Sequence, residues 1–266
     1  MKKTIEFEKS VTPHLGAASS PWLPAGKPAS KYEDLILKPE YEARKFQFPA
    51  GATWFRLVPP LRGSKGYMLP LHALGHPGGR HAKSITGGKS VFSTAYDWLV
   101  KNHPELLFCK ANPTGFRLLS SPVAAYWMLV EEGGKMVARI LLANAYDGSR
   151  NGTEGMGHRL LRLVEERDEA MGLVSDPVDP VTGVQVGIEK TQAMGVKYPN
   201  YTVRLGRQPA PIERFFERME ESELDALCPL EETVRSIEPE HEWELLGNVV
   251  GVALRDKIRA AAPVRP

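Results

Sequence analysis

Two alternating runs joined by a glycine-bearing loop restrict this chain more than any other stretch. From 184 to 189, Val184, Val186 and Ile188 alternate with Gln185, Gly187 and Glu189; from 201 to 206, Tyr201, Val203 and Leu205 alternate with Thr202, Arg204 and Gly206. A period of two puts each set on one face of a strand, so the segment predicts an antiparallel hairpin closed by the loop Gln192 to Lys197. Lys190, Lys197, Tyr198, Tyr201, Arg204 and Arg207 bring cations and flat rings together around its tip. Rings stack on unpaired bases while cations follow phosphates, which suits a single strand better than a duplex. The same residues also fit an edge hairpin whose tyrosines pack and whose lysines only solubilise it.

Upstream, Ala52 to Pro60 reads as a strand with Arg56 inside an apolar run. A charge there requires a partner, either an anionic ligand or a carboxylate such as Glu42. A second strand is expected from Tyr67 to Leu74, followed by a loop rich in glycine and base whose Arg80, Lys83 and Lys89 are candidate phosphate contacts. Gly87-Gly88-Lys89-Ser90 resembles the end of a phosphate-binding P-loop, but Lys83 stands where that motif requires glycine. His72, His76 and His81 match no firm zinc spacing. Val91 to His103 predicts a helix stopped by Pro104, and Phe116 to Leu119, Ala125 to Val130 and Met136 to Ala143 predict strands. The last two strands pair around Gly133-Gly134. Tyr126 and Trp127 are adjacent and point to opposite faces, one toward the core and the other outward. Met156 to Met171, Ile212 to Leu227 and Glu240 to Ala261 predict amphipathic helices.

The composition, 42% hydrophobic and 25% charged, is that of a globular protein with a real core. No apolar run is long enough for a bilayer, and MKKTIEFEKS lacks the hydrophobic stretch of a secretion signal, so a cytoplasmic protein without membrane attachment is expected. Cys109 and Cys228 are too few for a disulfide framework and read as small core residues. The net charge of +2 hides a division: Glu213 to Glu244 carries −9, the last 22 residues +3, and residues 1–212 +8. A basic body followed by an acidic segment is a pattern of polyanion binders, and equally of a solvated acidic helix.

These elements divide the chain into an N-terminal arm (1–48), a core (49–211) and an acidic, helical C-terminal segment (212–266). The expected class is α+β, mainly β with added helices. A Greek-key barrel of OB type with long loops and C-terminal helices accounts for the order of elements. No catalytic constellation is visible, so an enzyme is not expected, nor any cofactor or metal.

The chain resembles the family of the T-even bacteriophage single-stranded DNA-binding, helix-destabilising protein. Trp54-Phe55-Arg56-Leu57-Val58-Pro59 resembles its first core strand. Tyr126-Trp127-Met128-Leu129-Val130 resembles its Tyr-Trp strand, followed by a hairpin and the helix Gly157 to Glu169. Asp179 to Arg207, with Gly183, Gly195, Lys197, Tyr198 and Tyr201, resembles its closing hairpin. The resemblance covers about residues 50–210. It implies an OB-fold core that binds single-stranded DNA with little sequence preference, with Arg56, Tyr126, Trp127, Tyr198 and Tyr201 in or near the cleft. The family type holds zinc through cysteines and a histidine, whereas residues 72–103 here contain no cysteine, and this chain ends basic instead of acidic.

The expected function is therefore the coating of single-stranded DNA in phage replication, recombination and repair. Phosphates would be held by Arg56, Arg139, Lys190, Lys197 and Arg204, and bases stacked by Tyr67, Tyr126 or Trp127, Tyr146, Tyr198 and Tyr201. The acidic segment 213–244 is the candidate surface for replisome or recombination proteins. A virion adaptor or an incomplete P-loop protein are the alternatives.

Overall fold

The computed structural model describes residues 36–76, 79–84, 90–109, 111–118, 121–145, 154–165, 177–192, 200–235 and 237–262. In chain order they form α1 (Pro39–Glu42), β1 (Gly51–Leu57), β2 (Met68–His76), β3 (Gly79–Ser84), α2 (Val91–Asn102), β4 (Ser121–Glu132), β5 (Lys135–Asn144), α3 (Met156–Glu165), β6 (Val184–Thr191), β7 (Asn200–Pro209), α4 (Glu213–Phe216), α5 (Glu221–Asp225), α6 (Leu230–Thr233), α7 (Pro239–Val250) and α8 (Val252–Ala261). The protein is α+β. Six strands follow one another as β3-β2-β4-β1-β6-β7, with β5 paired to β4. Each registered pair of strands is antiparallel, and the path ends at β3 and β7 without closing into a barrel.

The described residues fall into two compact units, 38–69 with 123–233, and 36–37 with 70–122 and 234–262. The first unit takes in most of the acidic segment, and the boundaries between the units include points inside β2 and β4.

In the first unit, Phe55 and Leu57 of β1, Ala124, Tyr126, Met128 and Val130 of β4, Leu141 and Ala143 of β5 and Val186 and Ile188 of β6 project into one core with Leu160 and Leu161 of α3. Tyr201, Val203 and Leu205 line its β7 side, partly buried. The strict period of two in β6 and β7 is thus a buried face opposite a polar one. β4 and β5 turn through Gly133 and Gly134, both at positive φ, which a two-residue hairpin loop demands.

In the second unit Phe92, Ala95 and Leu99 of α2 pack with Leu245, Leu246 and Val250 of α7 and Ile258 of α8. Ser90 caps α2 by accepting the Ser93 N–H at 3.1 Å, and the buried Glu242 carboxylate accepts the Val91 N–H at 3.2 Å. Negative charge at a helix N-terminus is favourable there.

Four expected elements differ. Glycine and base read as loop at 79–84, yet β3 pairs with β2 from Leu71↔Ser84 to His76↔Gly79, because backbone pairing needs no apolar alternation. Phe116 makes a single bridge to Leu107 rather than starting a strand. The helix expected from 212 to 227 is broken into α4 and α5, where Met219 leaves helical geometry to bridge Met136 on β5. The helix expected from 240 to 261 breaks at Gly251, whose φ of 86° is left-handed.

Candidate nucleic-acid interface

Four of the rings and cations expected at the surface are interior. Arg56 is 0% exposed: its Nε donates to the Ala210 carbonyl at 2.9 Å, and its two terminal nitrogens donate to the carbonyls of Leu57, Pro177 and Asp179. The backbone of the turn that precedes β6 and of the segment that follows β7 supplies acceptors that a buried guanidinium requires. Burial pushes the Asp179 carboxyl up, but the Thr182 and Val181 amides and the Arg56 charge outweigh it and hold the group below its ordinary value.

Tyr126 is fully buried and donates its hydroxyl proton to the Gly157 carbonyl at 2.9 Å. Tyr67 is also buried, its ring tilted against that of Tyr126 with the centroids 6.3 Å apart, so neither ring is open to a base. Trp127 points to the opposite face of β4, as adjacency requires, but that face is covered too. Its Nε1 donates to the Cys228 carbonyl at 2.8 Å and Tyr41 meets it edge-on at 6.3 Å. The Tyr41 hydroxyl lies 3.2 Å from the Cys228 sulfur, and that hydrogen bond together with burial raises its pKa to about 12.

Arg139 sits opposite Met128 and binds Glu132 through two nitrogens, at 3.1 and 2.5 Å. Lys190 donates from Nζ to the Phe48 carbonyl at 2.8 Å, and Tyr201 packs half-buried against the Phe48 ring, burial raising its pKa. Arg80 and Lys83 lie on β3 opposite Gly75 and His72. Lys89, Tyr146, Lys197 and Tyr198 lie outside the described residues. Among the described residues, no three histidine, cysteine or carboxylate side chains come together to hold a metal ion.

The polar face of β1, β6 and β7 remains. Trp54 and Arg56 are two residues apart and share that side of β1. The turn covers Arg56 and leaves Trp54 46% exposed, the one ring among the large apolar side chains exposed in the described residues. In register, Trp54 stands opposite Gly187 and Gly187 opposite Arg204, one row across three strands. A Cβ on Gly187 would meet Cη2, Cζ3 and Cδ2 of the indole at 2.9, 2.9 and 3.0 Å. Three ring atoms nearly equidistant from one point mean that the indole lies face-down on the glycine, with its other face outward. Arg204 is 64% exposed and donates to Glu189 at 2.8 Å.

The alternation of Thr53, Phe55 and Leu57 against Ala52, Trp54 and Arg56 marks Trp54 as the outward aromatic of β1; the apolar run around it conceals that signal. No family model matches the chain, and no curated protein matches it in sequence.

Proposed function

We propose that the protein binds single-stranded DNA without strong sequence preference, in the manner implied by the resemblance to the T-even phage proteins, and that the binding surface is the outer face of β1, β6 and β7. One observation carries the reading: a half-exposed indole laid flat on Gly187, in the same cross-strand row as an exposed arginine. A ring seated on one face offers the other to a base, and an arginine two strands along the same row can serve a phosphate of the same DNA strand. Because the row runs across strands, the bound strand crosses β1, β6 and β7, as it does on the face of an OB-type sheet. The basic excess of residues 1–212 adds attraction for the backbone. The same surface serves replication, recombination and repair in the host cytoplasm, where unpaired strands form. Recruitment of replication proteins through 213–244 would rest on exposed carboxylates such as Glu213, Glu217 and Glu221, since Glu220, Glu223, Glu240 and Glu242 already bind groups of this chain.

Fluorescence anisotropy with oligo-dT and with a duplex, each at two salt concentrations, tests the reading. The expected result is preference for the single strand and an affinity that falls with salt. Stacking is worth roughly 1–3 kcal/mol per base, so Trp54→Ala should weaken oligo-dT binding by about tenfold, with the unfolding midpoint nearly unchanged. Equal affinity for duplex, or an unaltered Trp54→Ala, refutes it.

A further inference from the structure

Arg204 and Glu189 both point to the face that carries Trp54. Glu189 is two residues along β6 from Gly187, on the same side, and Arg204 stands directly opposite Gly187. The guanidinium reaches diagonally across to the Glu189 carboxylate at 2.8 Å. The two side chains are 64% and 36% exposed, so the pair is wet and weakly held. A nucleic-acid phosphate arriving beside the indole meets an arginine whose nearest anion is already in place.

We propose that Glu189 is an intramolecular competitor for the phosphate at Arg204, holding the guanidinium until a strand displaces it. The proposal rests on the binding reading above. In the free protein the carboxylate neutralises Arg204. On binding, the guanidinium exchanges one oxyanion for another, and the displaced carboxylate is left near the phosphate, where like charges repel. The pair therefore lowers affinity for any phosphodiester strand at this site, and it does so more strongly when few ions screen the repulsion. It also discriminates: an isolated anion gains only the exchange, whereas a strand that stacks a base on Trp54 at the same time gains a contact Glu189 cannot replace.

The test is a double-mutant cycle read by anisotropy with oligo-dT. Glu189→Gln keeps the shape of the side chain and removes its charge, and exposed pairs of this kind lead us to expect tighter binding by about threefold to fivefold at low salt. The gain should shrink as salt is raised. In an Arg204→Ala background the same substitution should give little or no gain. If Glu189→Gln leaves the affinity unchanged while Trp54→Ala weakens it, the competitor is refuted and the surface stands. A gain that persists undiminished without Arg204 also refutes it, since the carboxylate would then act only through net charge. Should Trp54→Ala leave binding intact, the surface itself is wrong and the competitor falls with it.

Discussion

Arg56 shows how one side chain organises a neighbourhood. Its donors join β1 to the turn at 177–179 and to Ala210, so the segment entering β6 and the segment leaving β7 are tied to the same strand. Gly183 completes the arrangement, because a Cβ there would collide with the Asp179 carbonyl and the Arg56 guanidinium. Arg56→Met keeps much of the volume but leaves several buried carbonyls without a donor; at about 1–3 kcal/mol for each unsatisfied group, we expect a loss of at least about 3 kcal/mol in urea unfolding. Gly187 has the complementary role of leaving room. Gly187→Ala should lift the indole from its seat, change the part of the tryptophan emission that Trp54→Phe removes, and weaken oligo-dT binding while altering stability far less than Arg56→Met. An unchanged spectrum would mean that the ring does not lie on the glycine. The alternation alone makes Trp54 and Arg56 neighbours on one face. Which of them is covered depends on a turn more than 120 residues away in sequence, and no local pattern reports that.

The elements around β5 explain where the acidic residues go. Its outer side is bordered by Arg44 to Phe46, which exchange backbone hydrogen bonds with Ile140, and by Met219, which bridges Met136. Glu223 of α5 accepts from the Ala138 N–H at 2.9 Å and from Arg44 at 2.7 Å. Burial pushes its carboxyl up, but the Arg44 hydrogen bond and the Ala138 amide outweigh it and lower the pKa below the ordinary glutamate value. A depressed folded-state pKa means stability that is present above the ordinary glutamate range and is lost as pH falls through the folded value. Glu223→Gln should therefore cost roughly 1–2 kcal/mol at pH 7, and the difference from the unsubstituted protein should narrow at acid pH. A cost independent of pH would show that packing, not charge, holds α5. The break between α4 and α5 belongs here as well: the apolar spacing of Phe215, Met219 and Leu224 is helical, but a bridge to a strand edge competes with helix propagation at Met219 and wins.

For the whole molecule, the acidic stretch is not an appendage of the first unit but a part of it as far as Thr233. Lys135 with Glu220 and Arg218 with Glu131 cross between it and β5 and β4, at 2.7 and 2.5 Å, and Arg44 with Glu223 joins it to the segment between α1 and β1 at 2.7 Å. Truncation after Pro211 should accordingly cost solubility and cooperative unfolding rather than release DNA affinity; a soluble, cooperatively unfolding truncation with tighter binding at low salt would reverse that conclusion. Among the described residues no helix is long and apolar enough to cross a membrane. The sequence by itself determined β1, β2 and β4 to β7, the shared faces of β6 and β7, the Gly133-Gly134 turn and the helix that begins at Val91, because period, turn chemistry and capping act over a few residues; β3, which lacks that period, it did not. Only the tertiary structure decided which rings and cations are reachable. Tyr67, Tyr126, Trp127 and Arg56 carry the chemistry of a binding surface, but their exposure depends on what distant segments cover, and burial is a property of the assembled fold rather than of any stretch within it.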